Sequence, residues 1–292
     1  MRVLSWNLYH GRDAPPGHPR QSFWQRLLRR ELDDGTFLDA NRPLDEEFAR
    51  VIATAEWSIC LLQETPPRWS RSLARACGAH AVRFLTSRNV LLPLTGALGR
   101  WNPDAIGSWE GGCNLTLIRP PWTLVEGSER SLLLNPIRER RLHERRRMGV
   151  VRVRGHLNGE QLELCVGNIH ASKDTVGDSE REIERAARGL VSSAGSAACL
   201  LGGDFNVRPA RVGVFDLLER DLGLGPPSAP DAIDHLLARG LELVEGPRRW
   251  PPEGREVEVE TPAGHRRIRL SDHAPVEAAY GFPGTARRPM RY

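Results

Sequence analysis

The chain has 292 residues, of which 40% are hydrophobic and 27% are charged, so it is long enough to bury a sizeable core. Its 41 basic and 37 acidic residues leave a net charge of +4, which by itself does not identify a polyanionic partner. The sequence contains no run of ~20 apolar residues of the kind that a membrane-spanning helix needs. Its first residues also lack the apolar region of a secretory signal.

Cysteine and arginine usage adds two expectations. The five cysteines form no CxxC pair, and most lie in apolar runs, which is typical of core residues in a reducing compartment. We therefore expect a cytoplasmic protein without a zinc or disulfide framework. Lys173 is the only lysine among the 41 basic residues. A GC-rich genome explains such a bias, and so does a need for bidentate phosphate contacts.

Short apolar runs and helical patterns alternate along the chain. The first predicted strand is followed by residues 10–44, which we interpret as a lid or rim insertion in a single domain spanning residues 1–292. Apolar residues at helical spacing predict helices around 48–55, 69–76 and 183–191. The predicted strands are residues 3–6, 58–62, 114–118, 150–153, 162–169, 198–201, 233–237 and 274–280. This mixture favours a layered α/β or α+β architecture.

Several predicted strands adjoin a carboxylate, an amide or an imidazole side chain. These residues are Asn7, Glu64, Asn168, His170, Asp204, Asn206, Asp234, Asp272 and His273. A carboxylate next to a buried strand is costly unless it is paired or bound to a cation. A single residue of this kind is usually an ordinary turn residue. The nine residues lie at six places in the sequence, and six places that all carry oxygen or imidazole groups are harder to explain as ordinary turns.

The chemistry of these side chains predicts a divalent cation and attack of water on phosphorus. Carboxylate and amide oxygens favour Mg²⁺, Mn²⁺ or Ca²⁺ over zinc, and the chain has no HExxH motif. Histidines near such a cation suit proton transfer or phosphate binding. The absence of GxxxxGK[ST], GxGxxG and GxSxG argues against an NTPase, a dinucleotide enzyme and a serine hydrolase.

These motifs, in this order, resemble the endonuclease/exonuclease/phosphatase superfamily. The matching segments are WN at 6–7, QE at 63–64, NIH at 168–170, GGDFN at 202–206, ID at 233–234 and SDH at 271–273. The resemblance runs from residue 3 to about residue 280. It implies a DNase I-like fold, in which two packed mixed β-sheets flanked by helices form a four-layer sandwich with the site at one end.

The resemblance further implies a hydrolase that uses Mg²⁺, with Mn²⁺ or Ca²⁺ as substitutes, and no covalent intermediate. The implied metal ligands are Asn7, Glu64 and Asp272. Asp204 would orient or activate the attacking water. Asn206 would donate a hydrogen bond to the phosphate as negative charge develops on it.

Two histidines also have implied roles. His273 would act as a general base or, when protonated, as a donor to the transition state, and Asp234 would hold its tautomer. His170 resembles the second histidine of the deoxyribonuclease-like branch, which contacts a non-bridging phosphate oxygen. Glu110 is a candidate for orienting His170.

The substrate is less well specified. Residues 138–154 contain eight arginines and two glutamates, a pattern that suits a nucleic-acid backbone, a multiply phosphorylated headgroup or an ordinary solvated surface. The candidate substrate-binding residues are Asn168, Lys173, Arg145, Arg146 and Arg147. We expect a nuclease, with a monomer favoured. The alternatives are a phosphatase or phospholipase-C-like enzyme acting on a small molecule or lipid headgroup, and a non-catalytic binding module.

Overall fold

The computed structural model describes residues 1–18, 21–86, 92–107, 110–135, 145–157 and 160–283. The strands in these ranges are β1 (Arg2–Asn7), β2 (Leu32–Asp33), β3 (Leu38–Asp39), β4 (Ile59–Thr65), β5 (His80–Leu85), β6 (Cys113–Ile118), β7 (Thr123–Leu124), β8 (Arg130–Leu133), β9 (Arg147–Leu157), β10 (Glu160–His170), β11 (Ala198–Asp204), β12 (Asp234–Arg239), β13 (Glu242–Arg249), β14 (Glu256–Thr261), β15 (Gly264–Arg269) and β16 (Val276–Gly281). The helices are α1 (Phe23–Leu27), α2 (Asp45–Thr54), α3 (Ser70–Cys77), α4 (Leu92–Trp101), α5 (Pro103–Ile106), α6 (Val176–Ala194) and α7 (Val214–Leu222).

Most strands belong to two mixed sheets. The first has the order β13-β16-β1-β4-β6-β5, and the second has the order β12-β11-β10-β9-β7, with β8 also beside β9. The pairs β1–β4 and β10–β11 are parallel, and their neighbours are antiparallel. Each sheet therefore has a central parallel pair whose carboxyl ends lie at one edge.

The two sheets pack face to face, because successive side chains of a strand point to opposite faces. In β4, Ile59 and Leu61 belong to the core between the sheets, whereas Cys60 and Leu62 belong to the core under α2 and α3. Helices α6 and α7 cover the outer face of the second sheet. The four-layer sandwich that the sequence predicts is confirmed.

The segment predicted as a lid is anchored to a hairpin near the end of the chain. It contains α1 and the short β2–β3 pair. Isolated bridges join Asp13 to Leu270 and Phe37 to Arg267, so the segment packs along the β14–β15 hairpin. This hairpin is not among the strands predicted above; its strands carry many charged side chains and bury Val257 and Ile268 in the core under α2 and α3.

Two further observations concern the cysteines and the hydropathy of the helices. All five cysteines are buried and free, including Cys60, Cys165 and Cys199, which lie in apolar runs of the sequence. Among the described residues, no helix has the length and apolar character needed to span a membrane.

Two glycines let β11 approach its neighbours before the strand reaches Asp204. A Cβ at Gly202 would lie 2.6 Å from Leu61 Cδ1 in the opposite sheet. A Cβ at Gly203 would lie 1.9 Å from the carbonyl oxygen of Ile169, and Gly203 has a φ of +142°. The backbone of Ile169 and the positive φ exclude a side chain at Gly203, whereas at Gly202 a side chain would displace the ends of Leu61 and Leu236.

We expect Gly203→Ala to destabilise the fold by about 3 kcal/mol or more, because it adds a backbone clash to a strained φ. Chemical denaturation gives the free energy of unfolding. Gly213→Ala is the matched control, because Gly213 has a φ of −91° and no heavy atom within 4 Å of its added Cβ. An equal effect of the two substitutions would contradict this account of Gly203.

Candidate active site

The candidate site lies where the carboxyl ends of the central strands meet. Asn7 ends β1, Glu64 lies near the end of β4, and His170 ends β10. In the second sheet His170 pairs with Asp204, and Asp204 pairs with Asp234 at the start of β12. Parallel pairing within the sheets and packing between them thus bring together residues that are far apart in sequence.

Asp204 is the buried centre of this cluster. Its Oδ2 accepts a hydrogen bond from Asn7 Nδ2 (2.9 Å), and its Oδ1 accepts one from the backbone N–H of Asn206 (3.0 Å). The Nε2 atoms of His170 and His273 lie 3.6 and 3.7 Å from Oδ2. Burial, together with the nearby negative charge of Asp234, raises the pKa of Asp204 to about 7.

Asp234 and His273 form the shortest contact between charged groups at the centre. Asp234 Oδ2 lies 2.9 Å from His273 Nδ1. Burial lowers the pKa of His273, but the hydrogen bond and charge of Asp234 outweigh it and raise the value to about 10. Trp6 Nε1 donates to the carbonyl of His273, and the backbone N–H of His273 donates to Ser271 Oγ. The imidazole is therefore fixed with Nε2 directed at Asp204.

Glu64 lies between two histidines, one of which the sequence analysis did not select. His10 Nε2 is 3.2 Å from Glu64 Oε2, and His170 Nε2 is 3.6 Å from Oε1. Burial disfavours the charged form of Glu64, but nearby positive charge, chiefly that of His10 and then of Arg12 and Arg146, outweighs it and lowers its pKa to about 2. The signal for His10 was its position three residues after the strand-end Asn7.

His170 is held in its neutral form by its surroundings. Its pKa lies well below the ordinary value because the side chain is buried and Arg146 is adjacent. Arg146 Nη1 lies 3.1 Å from His170 Nδ1 and 3.3 Å from its Nε2. Of the arginines of the predicted cluster that the structure describes, Arg146, itself buried, is thus the one in contact with His170.

The other predicted substrate-binding residues have different surroundings. Arg145 and Lys173 are exposed, and Arg147 Nη1 donates to Ser131 Oγ at 3.0 Å. Arg152 and Arg154 of the same segment both pair with Glu163. Arg138, Arg140 and Arg141 lie outside the described residues. The described arginines therefore do not form a continuous free track.

Asn168 does not have the position expected of a substrate-binding residue. Its side chain is fully buried between the sheets, where its Oδ1 accepts from Gln63 Nε2 at 2.8 Å and its Nδ2 donates to the carbonyl of Leu115 at 3.1 Å. It was predicted from its place in the NIH motif and shares a strand face with His170, but its side chain is taken up by contacts with Gln63 and Leu115 of the other sheet. We correct its role to a link between the sheets.

Glu110 also differs from its predicted position. Its carboxylate is buried beside Arg68 (Oε1 to Nε, 3.1 Å), and burial raises its pKa to about 7. The residues in contact with His170 are instead Arg146, Glu64 and Asp204. Glu110 is therefore not the residue that orients His170.

One cluster of carboxylate and imidazole groups could hold a divalent cation. One ligand atom from each of Asp204, Asp234 and His273 lies within 4.8 Å of the others, and Asp234 Oδ1 is buried without a hydrogen-bond partner among the described residues. This cluster is adjacent to, but not the same as, the ligand set Asn7, Glu64 and Asp272 that the resemblance implies. Asp272 is the most exposed carboxylate of the group, and its Oδ1 lies 4.0 Å from His273 Nε2. Neighbouring carboxylates favour a cation because they otherwise repel one another.

A histidine beside the site provides a test of how burial affects stability. His235 is fully buried against Phe205 and Phe215, and burial lowers its pKa to about 4. Between pH 6.5 and 4 the unfolded chain binds a proton at His235 that the folded chain does not. This contribution to stability is complete above pH 6.5, falls with pH across this range, and totals about 3 kcal/mol.

We expect His235→Asn to remove that pH dependence, while its amide oxygen can still accept the backbone hydrogen bond from Ser228. The quantity compared is the free energy of unfolding of variant and wild type at pH 7 and pH 4.5. The comparison is needed because Glu110 contributes a slope of opposite sign in this range. The exposed His80→Asn variant is the control. Parallel pH profiles for His235→Asn and wild type would rule out the proposed titration.

Comparison with known proteins identifies a family to which the chain is similar. The sequence profile described as "Endonuclease/Exonuclease/phosphatase family" matches residues 4–273. No curated protein sequence matches the chain. The matched range includes each of the motifs from Asn7 to His273.

Solved structures share the fold at low sequence identity. A mannosyl-6-phosphatase of Bacteroides thetaiotaomicron VPI-5482 has a TM-score of 0.61 and 14% identity, over 97% of this chain and 100% of that one. The human Nocturnin catalytic domain with bound sulfate has a TM-score of 0.53 and 15% identity, over 97% of this chain and 94% of that one. D. rerio TDP2 complexed with a single-strand DNA product has a TM-score of 0.52 and 13% identity, over 96% of this chain and 98% of that one. The chain belongs to the endonuclease/exonuclease/phosphatase family, whose members are hydrolases acting on phosphoester bonds.

Proposed function

We propose that the chain hydrolyses a phosphate ester by direct attack of water, with Mg²⁺ as its cation and Mn²⁺ or Ca²⁺ as substitutes. The observation that carries the proposal is the line of three groups formed by Asp234, His273 and Asp204, with contacts of 2.9 and 3.7 Å. Such a line of carboxylate, imidazole and carboxylate places a proton donor and a proton acceptor side by side.

The proposed cation ligands are Glu64, Asp272 and the side-chain oxygen of Asn7. Glu64 suits this role because it stays ionised, and Asn7 Oδ1 is oriented by a hydrogen bond from the backbone of Tyr9. A cation bound there would supply positive charge to the phosphoryl oxygens as negative charge develops on them.

The remaining residues transfer protons or bind the phosphate. Asp204, with its pKa near neutrality, accepts the proton of the attacking water, and the protonated His273 donates from Nε2 to the phosphoryl group. His170 and Arg146 contact a non-bridging oxygen. Asn206 already donates one N–H of its amide to the carbonyl of Ala171, which leaves its second N–H for the phosphate.

Of the substrate classes that the sequence leaves open, a small phosphorylated molecule is the one that the geometry supports best. Among the described arginines of the cluster, Arg146 contacts the site, Arg145 is exposed, and Arg147, Arg152 and Arg154 have partners within the protein. A nucleic-acid backbone needs a row of free cations. A nuclease is the second candidate, supported by Trp24 and Trp101, whose exposed rings suit base stacking.

The test is a hydrolysis panel with metal-depleted protein. Mg²⁺, Mn²⁺ or Ca²⁺ is added back with 4-nitrophenyl phosphate, bis(4-nitrophenyl) phosphate, hexose and inositol phosphates, plasmid, single-stranded DNA or RNA. We expect hydrolysis that depends on the cation and is lost in Glu64→Gln. If folded protein hydrolyses no phosphoester with any of the three cations, the proposal is wrong and a binding module gains support.

A further inference from the structure

Large apolar side chains are exposed on two helices, α1 in the segment after β1 and α4. They form what we call the apolar patch, which consists of Phe23, Trp24, Leu27, Leu28, Leu98 and Trp101. Trp24 and Leu28 are 68% and 66% exposed. A single exposed apolar side chain is ordinary, but several large ones on adjoining helices mark an interaction surface.

Ring contacts join the two parts of the apolar patch. The rings of Phe23 and Trp24 meet edge to face, with their centroids 5.6 Å apart. The guanidinium group of Arg29, just after α1, lies 5.6 Å from the ring centroid of Trp101 on α4. Leu98 is three residues before Trp101 and therefore lies on the same helix face. The exposed side chains of α1 and α4 thus belong to one surface.

Helix α1 is held in place by polar side chains at both ends. Its five residues are far fewer than the ~12–15 that an isolated helix needs. Ser22 and Gln25 form a capping box at its start. Near its end, the side-chain amides of Asn41 and Asn102 donate to the carbonyl of Arg26 at 3.0 and 2.9 Å. The fold therefore fixes a short helix whose large apolar side chains face solvent.

The apolar patch is surrounded by positive charge. Residues 23–30 and 92–101 contain no acidic residue and four basic ones, which are Arg26, Arg29, Arg30 and Arg100. The last three of these are exposed. Helices that lie on a membrane combine aromatic and aliphatic side chains with arginine in this way. The apolar groups enter the boundary between headgroups and acyl chains, and the arginines are attracted to anionic headgroups.

Other partners match these side chains less well. Nucleic-acid bases stack on the rings of Trp24 and Trp101, but Leu27, Leu28 and Leu98 have no aromatic face to offer them. In a symmetric dimer the same patch meets itself, which would bring the arginines of the two copies together. An anionic bilayer accommodates both the apolar side chains and the arginines.

We propose that the apolar patch docks the protein on the surface of an anionic phospholipid bilayer. Its aromatic and leucine side chains insert at the level of the headgroups, and Arg29, Arg30 and Arg100 contact the lipid phosphates. The docking determines where the protein is held. It is independent of the proposed hydrolysis and assigns no substrate.

The first experiment measures binding of the full chain to lipid vesicles by sedimentation. One set of vesicles is phosphatidylcholine alone, and the other is an equal mixture of phosphatidylcholine and phosphatidylserine. We expect binding to the mixed vesicles to be tighter by about tenfold or more, because several arginines add to the attraction. Raising the salt from about 0.1 M to about 1 M shortens the screening length from about 10 Å to about 3 Å and should weaken this binding by about tenfold.

The second experiment tests the apolar side chains. We expect Trp24→Ser and Leu28→Ser each to weaken binding to the mixed vesicles by about tenfold, because each removes a large side chain that leaves water on docking. Val244→Ser is the matched control, because Val244 is 69% exposed on β13. Substitutions at such exposed positions change the free energy of unfolding little, so the variants should stay folded.

The third experiment tests the arginines. The double variant Arg29→Gln/Arg30→Gln should bind the mixed vesicles about tenfold less tightly and lose most of the salt dependence. The double variant Arg71→Gln/Arg75→Gln is the matched control, because both of these arginines are exposed on α3. Glu64→Gln should bind vesicles as wild type does, because the docking does not use the candidate active site.

Several outcomes would overturn the proposal. They are binding to neither kind of vesicle, equal binding to both, and binding that the substitutions in the apolar patch leave unchanged. Loss of vesicle binding in Glu64→Gln would place the lipid at the candidate active site instead. If vesicles are not bound, a single-stranded oligonucleotide whose binding is lost in Trp24→Ser would assign the patch to nucleic acid. A wild-type dimer that Trp24→Ser converts to a monomer in light scattering would assign it to a second copy of the chain.

Discussion

We expect Asp204→Asn and Glu64→Gln each to lower kcat by about 10³-fold or more, because each removes a charge that the proposed transition state requires. The amide introduced by Asp204→Asn could not accept the proton of the attacking water. The Glu64→Gln substitution would leave the cation site without its most strongly ionised carboxylate. Both substitutions keep the size of the side chain, so the loss would reflect chemistry rather than packing.

Stability measurements make the first prediction decisive. Burial raises the pKa of Asp204, so its ionised form destabilises the folded chain; this cost accumulates as the pH rises from about 4 to about 7 and is complete above that range. Asp204→Asn removes the charge but replaces one of two acceptor oxygens by a donor, so chemical denaturation at pH 8, with Asp216→Asn as an exposed control, shows whether the variant is folded. Retained turnover in a folded Asp204→Asn variant would remove Asp204 from the proposed mechanism.

The second large effect is expected at the Asp234–His273 pair. Asp234→Asn removes the charge that holds His273 protonated, and we expect kcat to fall by about 10²- to 10⁴-fold, the range for loss of a positioned acid–base group. His273→Gln should lower kcat by a similar factor. The double variant should have a kcat little below that of either single variant, because the two residues act as one unit.

The titration of His273 distinguishes a direct effect of Asp234 on the imidazole from general damage to the fold. In the metal-free wild type, Asp234 raises the pKa of His273 to about 10, so the ring should stay protonated through pH 8. In Asp234→Asn that pKa should fall by several units, since the remaining dominant influence is burial, which lowers it. Imidazole NMR signals followed from pH 5 to 10 measure both. An unchanged His273 titration in the variant would contradict the pairing at 2.9 Å.

Strands and helices with a clear pattern in their own residues could be predicted from the sequence. Strands β4 and β11 are continuous apolar runs, and α6 has a regular apolar stripe, so each could be recognised without its partners. Strand β13 could not, because its residues are mostly exposed and it is held by pairing with β16. A strand stabilised mainly by backbone pairing leaves little periodicity in its side chains.

The candidate site likewise contains residues that the sequence indicates and residues that it does not. The strand-end motifs indicate Glu64, Asp204 and His273, because carboxylates and imidazoles recur beside predicted strands at six places in the sequence. His10 carries no motif of its own, and its contact with Glu64 arises because the turn after β1 returns across the end of β4.

The arginine-rich segment shows how far sequence alone can lead. Composition revealed a local excess of positive charge but could not say which guanidinium groups were free, since pairing depends on what lies across the sheet. In β9 and the residue before it, side chains alternate between faces, so Arg146 turns toward His170 while Arg147 turns toward Ser131. The sequence by itself determined the family, the layered fold and the chemical types at the site. The tertiary structure alone decided which of those groups meet, because contacts between sheets depend on register and packing rather than on neighbours in the chain.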